Sequence, residues 1–179
     1  MIYSAVPKER GAGMSENNTA YELVMFLKDK QIKASTAESL TGGLVSGLIT
    51  DISGASQVFE CGVCSYSNRV KHEVLEVTEQ TLEQYTEYSP ECAKEMAEGI
   101  RRLSGAELGI STTGIAGPAG GTDEKPVGTV YVGISIKNDT RAYELRLGSE
   151  LSRTQIRELS AAKALSLALE RLREEYGNG

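Results

Sequence analysis

Thr36-Ala37-Glu38-Ser39-Leu40-Thr41-Gly42-Gly43 puts two hydroxyls, a carboxylate and a glycine pair into eight residues. The run Gln31 to Ser35 before it reads as a strand. Leu44, Leu48 and Ile52 after it recur at helical spacing. A strand-to-helix turn aims unpaired backbone N–H groups and the positive end of the helix dipole at one point. Such a point can hold an anion or a developing oxyanion. On local pattern alone it reads first as an ordinary helix start, with Ser39 or Thr41 as the cap and the glycines allowing close packing.

Two further segments carry polar or glycine-rich chemistry. Tyr66-Ser67-Asn68-Arg69-Val70-Lys71 follows a strand expected over Val58 to Ser65, and Thr113 to Gly121 follows one expected over Glu107 to Thr113. All three segments then sit at carboxyl ends of strands, the edge where open α/β sheets bind ligands. His72 is the sole histidine. Adjacent helical residues point about 100° apart, so Lys71 and His72 cannot both face one cleft. One histidine and scattered carboxylates do not make a metal site. There is no P-loop and no dinucleotide fingerprint. The chemistry left is a serine activated by a lysine, with a tyrosine to relay or orient a proton. The lysine must have its pKa lowered by burial or nearby cations. Taken alone, Lys71 also reads as a solvated helix lysine and Tyr66 as a strand-end aromatic.

Other elements must position these groups. Glu16 to Lys30 suits an amphipathic helix, with Leu23, Phe26 and Leu27 on one face. Asn68 is expected to cap a helix to Leu75, Thr78 a short one, and Ser89-Pro90-Glu91 a longer one stopped by Gly105. Val127 to Ile136 reads as a half-buried strand in a hairpin with Arg141 to Leu147. The last helix runs from Ser152 to Glu175, with Ile156, Leu159, Ala162, Ala168 and Leu172 inward. Strands alternating with helices, closed by a hairpin, predict a three-layer α/β/α sandwich with a mixed sheet.

The chain of 179 residues fits one domain over 16–179, preceded by a flexible segment over 1–15. The net charge of −6 argues against a non-specific nucleic-acid partner. No run of about 18 apolar residues is present, which excludes a transmembrane helix. Three cysteines fit a reducing cytoplasm. Cys61 and Cys64 fall on opposite faces of a strand and read, with Cys92, as buried small hydrophobes.

The combination Thr36–Gly43, Gly62–Lys71, Thr113–Gly121 and Glu124–Gly128 resembles the CinA C-terminal domain family, colinear from about Glu16 to Arg173. Enzymatic members of that family are nicotinamide-nucleotide amidases. The resemblance implies hydrolysis of nicotinamide mononucleotide to nicotinic acid mononucleotide and ammonia, with no metal and no cofactor. It implies Ser39 as nucleophile and Lys71 with Tyr66 as base and proton relay. Glu38, Thr41, Gly42, Gly43, Asn68, Thr113, Gly114 and Gly117 are expected around the substrate, with a structural capping role equally open for Glu38. Arg153, in preference to Arg157, is expected at the 5′-phosphate. Leu40 stands where the family usually has Cys. The larger N-terminal domain of full-length members is absent, which implies the stand-alone form. A cytoplasmic homo-oligomer, dimer or trimer, acting on a small nucleotide without nucleic acid or membrane is the expected setting. The alternative is a non-catalytic nucleotide-binding or interaction module linked to competence or DNA damage. A catalytic site requires Ser39, Lys71 and Tyr66 to converge in one pocket.

Overall fold

Three strands that end at the chemistry-bearing segments lie side by side in the computed structural model, which describes residues 14–177. They are β1 (Ala34–Glu38), β2 (Phe59–Cys64) and β3 (Leu108–Gly114). β1 pairs in parallel with β2 on one side and β3 on the other. β4 (Thr129–Ile136) and β5 (Asp139–Arg146) continue the sheet antiparallel, giving the order β2-β1-β3-β4-β5. The chain leaves β1 for β2 on one flank and returns to β3 on the other. A crevice therefore opens at the carboxyl ends of β1 and β3, where the strand order reverses.

Helices cover both faces. α1 (Met14–Lys30), α2 (Leu44–Thr50) and α6 (Arg153–Tyr176) bury Leu23, Leu27, Ile49, Ala164, Leu165 and Leu172 against Ala34, Ile110, Val132 and Ile134. On the opposite face, α3 (Asn68–Leu75), α4 (Glu79–Gln84) and α5 (Pro90–Ser104) pack a second cluster, with Leu75, Met96 and Ile100 around Ala37. The sheet is thus mixed and sandwiched, as the alternating pattern predicts. α5 approaches it very closely. A Cβ on Gly109 would lie 2.1 Å from Ala97 O, and one on Gly133 2.2 Å from Ala93 O. Only glycine fits between helix and sheet there.

Several boundaries differ from expectation, each for a physical reason. β1 runs to Glu38 rather than Ser35, because Thr36, Ala37 and Glu38 pair on both sides and are buried. α3 is capped by Ser67, whose hydroxyl accepts from Val70 N, and Asn68 is its first residue. β4 is buried along its whole length instead of half-buried, since it is internal and covered on both faces. In α6, Leu159 is 37% exposed, and Ser160, Ala161, Ala164 and Leu165 turn inward. Of the thiols only Cys92 is buried; Cys64 is exposed on the edge strand β2. Of the flexible segment expected over 1–15, residues 1–13 lie outside the described residues, and 14–15 belong to α1. Among the described residues no helix is long and apolar enough to cross a membrane, and no acidic, Cys or His cluster could hold a metal ion.

Candidate active site

Ser39 follows the last residue of β1 and opens a tight turn into α2. Its N–H donates to Thr112 O on β3 at 2.9 Å, which anchors it at the crevice. Gly42 (φ 58°) and Gly43 (φ 100°) then take left-handed conformations that L side chains rarely adopt. This sharp reversal brings the start of α2 over Glu38. The Glu38 carboxylate accepts from Gly43 N (2.8 Å), Val45 N (3.1 Å), Ser46 N (2.8 Å) and Ser46 Oγ (2.7 Å). A buried carboxylate therefore caps α2, where both the orphan N–H groups and the dipole favour negative charge. Neither Ser39 nor Thr41 does so. Thr41 Oγ1 instead shares a 2.6 Å hydrogen bond with Thr112 Oγ1.

Lys71 comes from the first turn of α3, and its side chain runs inward until it is 1% exposed. Its ammonium donates to Ser39 Oγ at 3.1 Å and to Ser65 O at 2.9 Å. Burial pulls the Lys71 pKa below the ordinary 10.5, while Cys92 and Glu87 act in the opposite direction. Cys92 itself is pushed up to about 12, chiefly by burial, so it is a neutral thiol at pH 7. Glu87 is then the anion that opposes the shift at neutral pH. His72 turns away, its Nδ1 sharing a 2.8 Å hydrogen bond with Val77 O. The adjacent-residue geometry in the sequence predicts this division.

Ser39, Lys71 and Tyr66 line one cavity of about 230 Å³. Its other walls include Leu40, the loop Gly114 to Gly117, Glu87, Tyr88 and Arg153. Tyr66 stands at the mouth and is 66% exposed. Its hydroxyl accepts from Arg153 Nη2 at 3.0 Å, and Arg153 Nη1 donates to Gly117 O at 2.7 Å. Arg153 thus ties the tyrosine to the glycine-rich loop. Arg157 is spent elsewhere: Nε donates to Leu40 O and Nη2 to Thr41 O, both at 2.9 Å.

The sequence-derived residues therefore divide. Ser39, Tyr66, Lys71, Gly114, Gly117 and Arg153 line the cavity. Glu38 ends β1, Thr41, Gly42 and Gly43 belong to the turn between β1 and α2, and Asn68 is the exposed first residue of α3; none of these five is among the lining residues. Thr113 is buried and donates to Glu87 O at 2.6 Å, so it braces a wall. Gly43 N–H, already bonded to Glu38, is not available to an oxyanion.

Glu87 and Tyr88 were not legible in the sequence as site residues. They lie in the non-periodic connection between α4 and α5, with no motif of their own. The one signal was Lys125 in Glu124-Lys125-Pro126. Its ammonium donates to Tyr85 O (3.2 Å), Thr86 Oγ1 (3.3 Å) and Tyr88 O (2.8 Å), pinning that connection beside the cavity.

Comparison with known proteins gives one consistent relationship. The model of the CinA C-terminal domain matches residues 16–172. A protein of Acetivibrio thermocellus named for competence-damage inducibility is 44% identical over 160 residues, covering 89% of this chain and 38% of its own length. A CinA-like protein of Syntrophotalea carbinolica is 42% identical over 165 residues, with 92% and 39% covered. This chain therefore spans little more than a third of the length of these curated relatives. The crystal structure of the competence/damage inducible protein CihA from Agrobacterium tumefaciens superposes with a TM-score of 0.85 at 34% identity, covering 96% of this chain and 99% of that one.

Proposed function

This chain belongs to the CinA C-terminal domain family, and from that premise we propose that it is an amidohydrolase acting on the carboxamide of nicotinamide mononucleotide. The observation that carries the reading is the 3.1 Å contact between Lys71 Nζ and Ser39 Oγ, both buried, with Lys71 held below its ordinary pKa by burial. A neutral amine in hydrogen-bond reach of a serine is a nucleophile–base pair.

In this mechanism neutral Lys71 takes the Ser39 proton as Oγ attacks the carboxamide carbon. The carbonyl oxygen becomes an oxyanion, for which we propose the backbone N–H groups of Leu40 and Ala116, residues of the cavity wall. The proton passes to the nitrogen, by way of the Tyr66 hydroxyl, and ammonia leaves. An ester to Ser39 remains. Lys71 then takes a proton from water as its oxygen attacks the ester, and the carboxylic acid departs with Ser39 restored. Atoms balance as amide plus water to acid plus ammonia.

The cavity is smaller than the roughly 300–1,000 Å³ that encloses a drug-sized ligand. It suits a ring and its carboxamide, with ribose and phosphate across the mouth near Arg153. An assay of ammonia release from nicotinamide mononucleotide, a pyridine dinucleotide and free nicotinamide tests the substrate. The mononucleotide should be preferred. Tight binding of the mononucleotide with no ammonia released would instead favour a non-catalytic nucleotide-binding module.

A further inference from the structure

The mechanism uses neither Glu87 nor Tyr88, yet both form part of the cavity wall. We infer that these two side chains make a subsite for a planar cationic ring, so that the pocket selects ligands carrying positive charge beside the carboxamide. This rests on the reading of the cavity as the amidase site and names what that site discriminates.

The wall is built to hold its shape. Lys125 Nζ donates to Tyr85 O, Thr86 Oγ1 and Tyr88 O. Thr113 Oγ1 donates to Glu87 O, and Ser89 Oγ to Thr86 O at 2.9 Å. These bonds hold the backbone in place; the Glu87 carboxylate and the Tyr88 hydroxyl share a hydrogen bond, and both residues line the cavity. Glu87 is the one carboxylate among the lining residues, facing a lining that also carries Lys71 and Arg153. A neutral ring bound against Glu87 would strip water from a charge and offer nothing in return. A cationic ring neutralises it and can also stack on the Tyr88 face. Burial, then the neighbouring carboxylate, raise the Tyr88 phenol above its ordinary value, so its ring stays neutral and aromatic at neutral pH. The same charge acts on the product. Hydrolysis turns a neutral carboxamide into a carboxylate, which Glu87 repels, favouring release.

The test is a calorimetric titration at pH 7 of the Ser39→Ala protein, which cannot turn over. The probes are 1-methylnicotinamide, a cation, and nicotinamide, its neutral counterpart. The cation should bind roughly 10-fold more tightly. Adding Glu87→Gln should bring the two affinities within about 2-fold, while Glu87→Asp should keep the preference. Circular dichroism checks that each variant is folded. Equal affinities in the Ser39→Ala protein, a preference that survives Glu87→Gln, or no binding of the cation up to about 10 mM would overturn the inference. Failure here is separable from failure of the proposed function. Wild-type protein that releases ammonia without this charge preference defeats only the subsite. A Glu87-dependent preference without ammonia release defeats only the amidase.

Discussion

Lys71 reaches Ser39 Oγ and Ser65 O from a position with 1% exposure, which decides its protonation. In the proposed mechanism the neutral amine is the base, so kcat/KM should rise with pH as Lys71 loses its proton and level off below 10.5. A flat pH profile would remove Lys71 from the chemistry. The same group predicts a stability effect. Its folded pKa is lower than its unfolded value, so between the two the unfolded chain binds more protons. Stability therefore rises with pH from the lowered value up to about 10.5, and Lys71→Met should lack that rise. Denaturation midpoints of both proteins from about pH 7 to 10.5 measure the difference. At this scale the sequence was informative where covalent geometry is strict. Lys71 and His72 had to diverge, and they do. It was silent on Glu87, whose place depends on a loop held by Lys125 and Thr113 from distant parts of the chain.

The turn between β1 and α2 is the element on which the site depends. Its hydroxyls and glycines are readable as a helix start, with Ser39, Thr41 and Glu38 all open as the cap. Glu38 became the cap because β1 extends through it, placing its carboxylate under the N–H groups of Gly43, Val45 and Ser46. Strand extent is set by pairing with β2 and β3, which local pattern does not contain. Glu38→Ala removes a buried cap and should cost about 2 kcal/mol, or roughly 4–8 °C of melting temperature. Because Ser39 is the next residue, ammonia release should fall as well, with the loss in kcat rather than KM. A variant with unchanged thermal stability would show that the cap is not what holds the turn. Arg157 secures the far side by binding Leu40 O and Thr41 O, so α6 and β1 are joined through the turn.

Across the whole molecule, the alternation of strands and helices closed by a hairpin was enough to predict a sandwiched mixed sheet. The strand order was not, since which flank β2 and β3 take is a tertiary choice. That order is what opens the crevice between β1 and β3. α6 brings Arg153 to its rim while its inner face, including Leu165, seals the core shared with α1 and the sheet. Leu165→Ala should destabilise by about 2–5 kcal/mol through the cavity it leaves. A denaturant midpoint unchanged in that variant would contradict the packing described.

In the proposed reaction Ser39, activated by Lys71, opens a carboxamide. It is tested most directly by ammonia release from nicotinamide mononucleotide by wild-type and Ser39→Ala proteins at one pH on the plateau. The wild type should release ammonia steadily and the variant about 10³-fold or more slowly, with its melting temperature little changed. Equal release by both proteins, or none by the wild type, would contradict it.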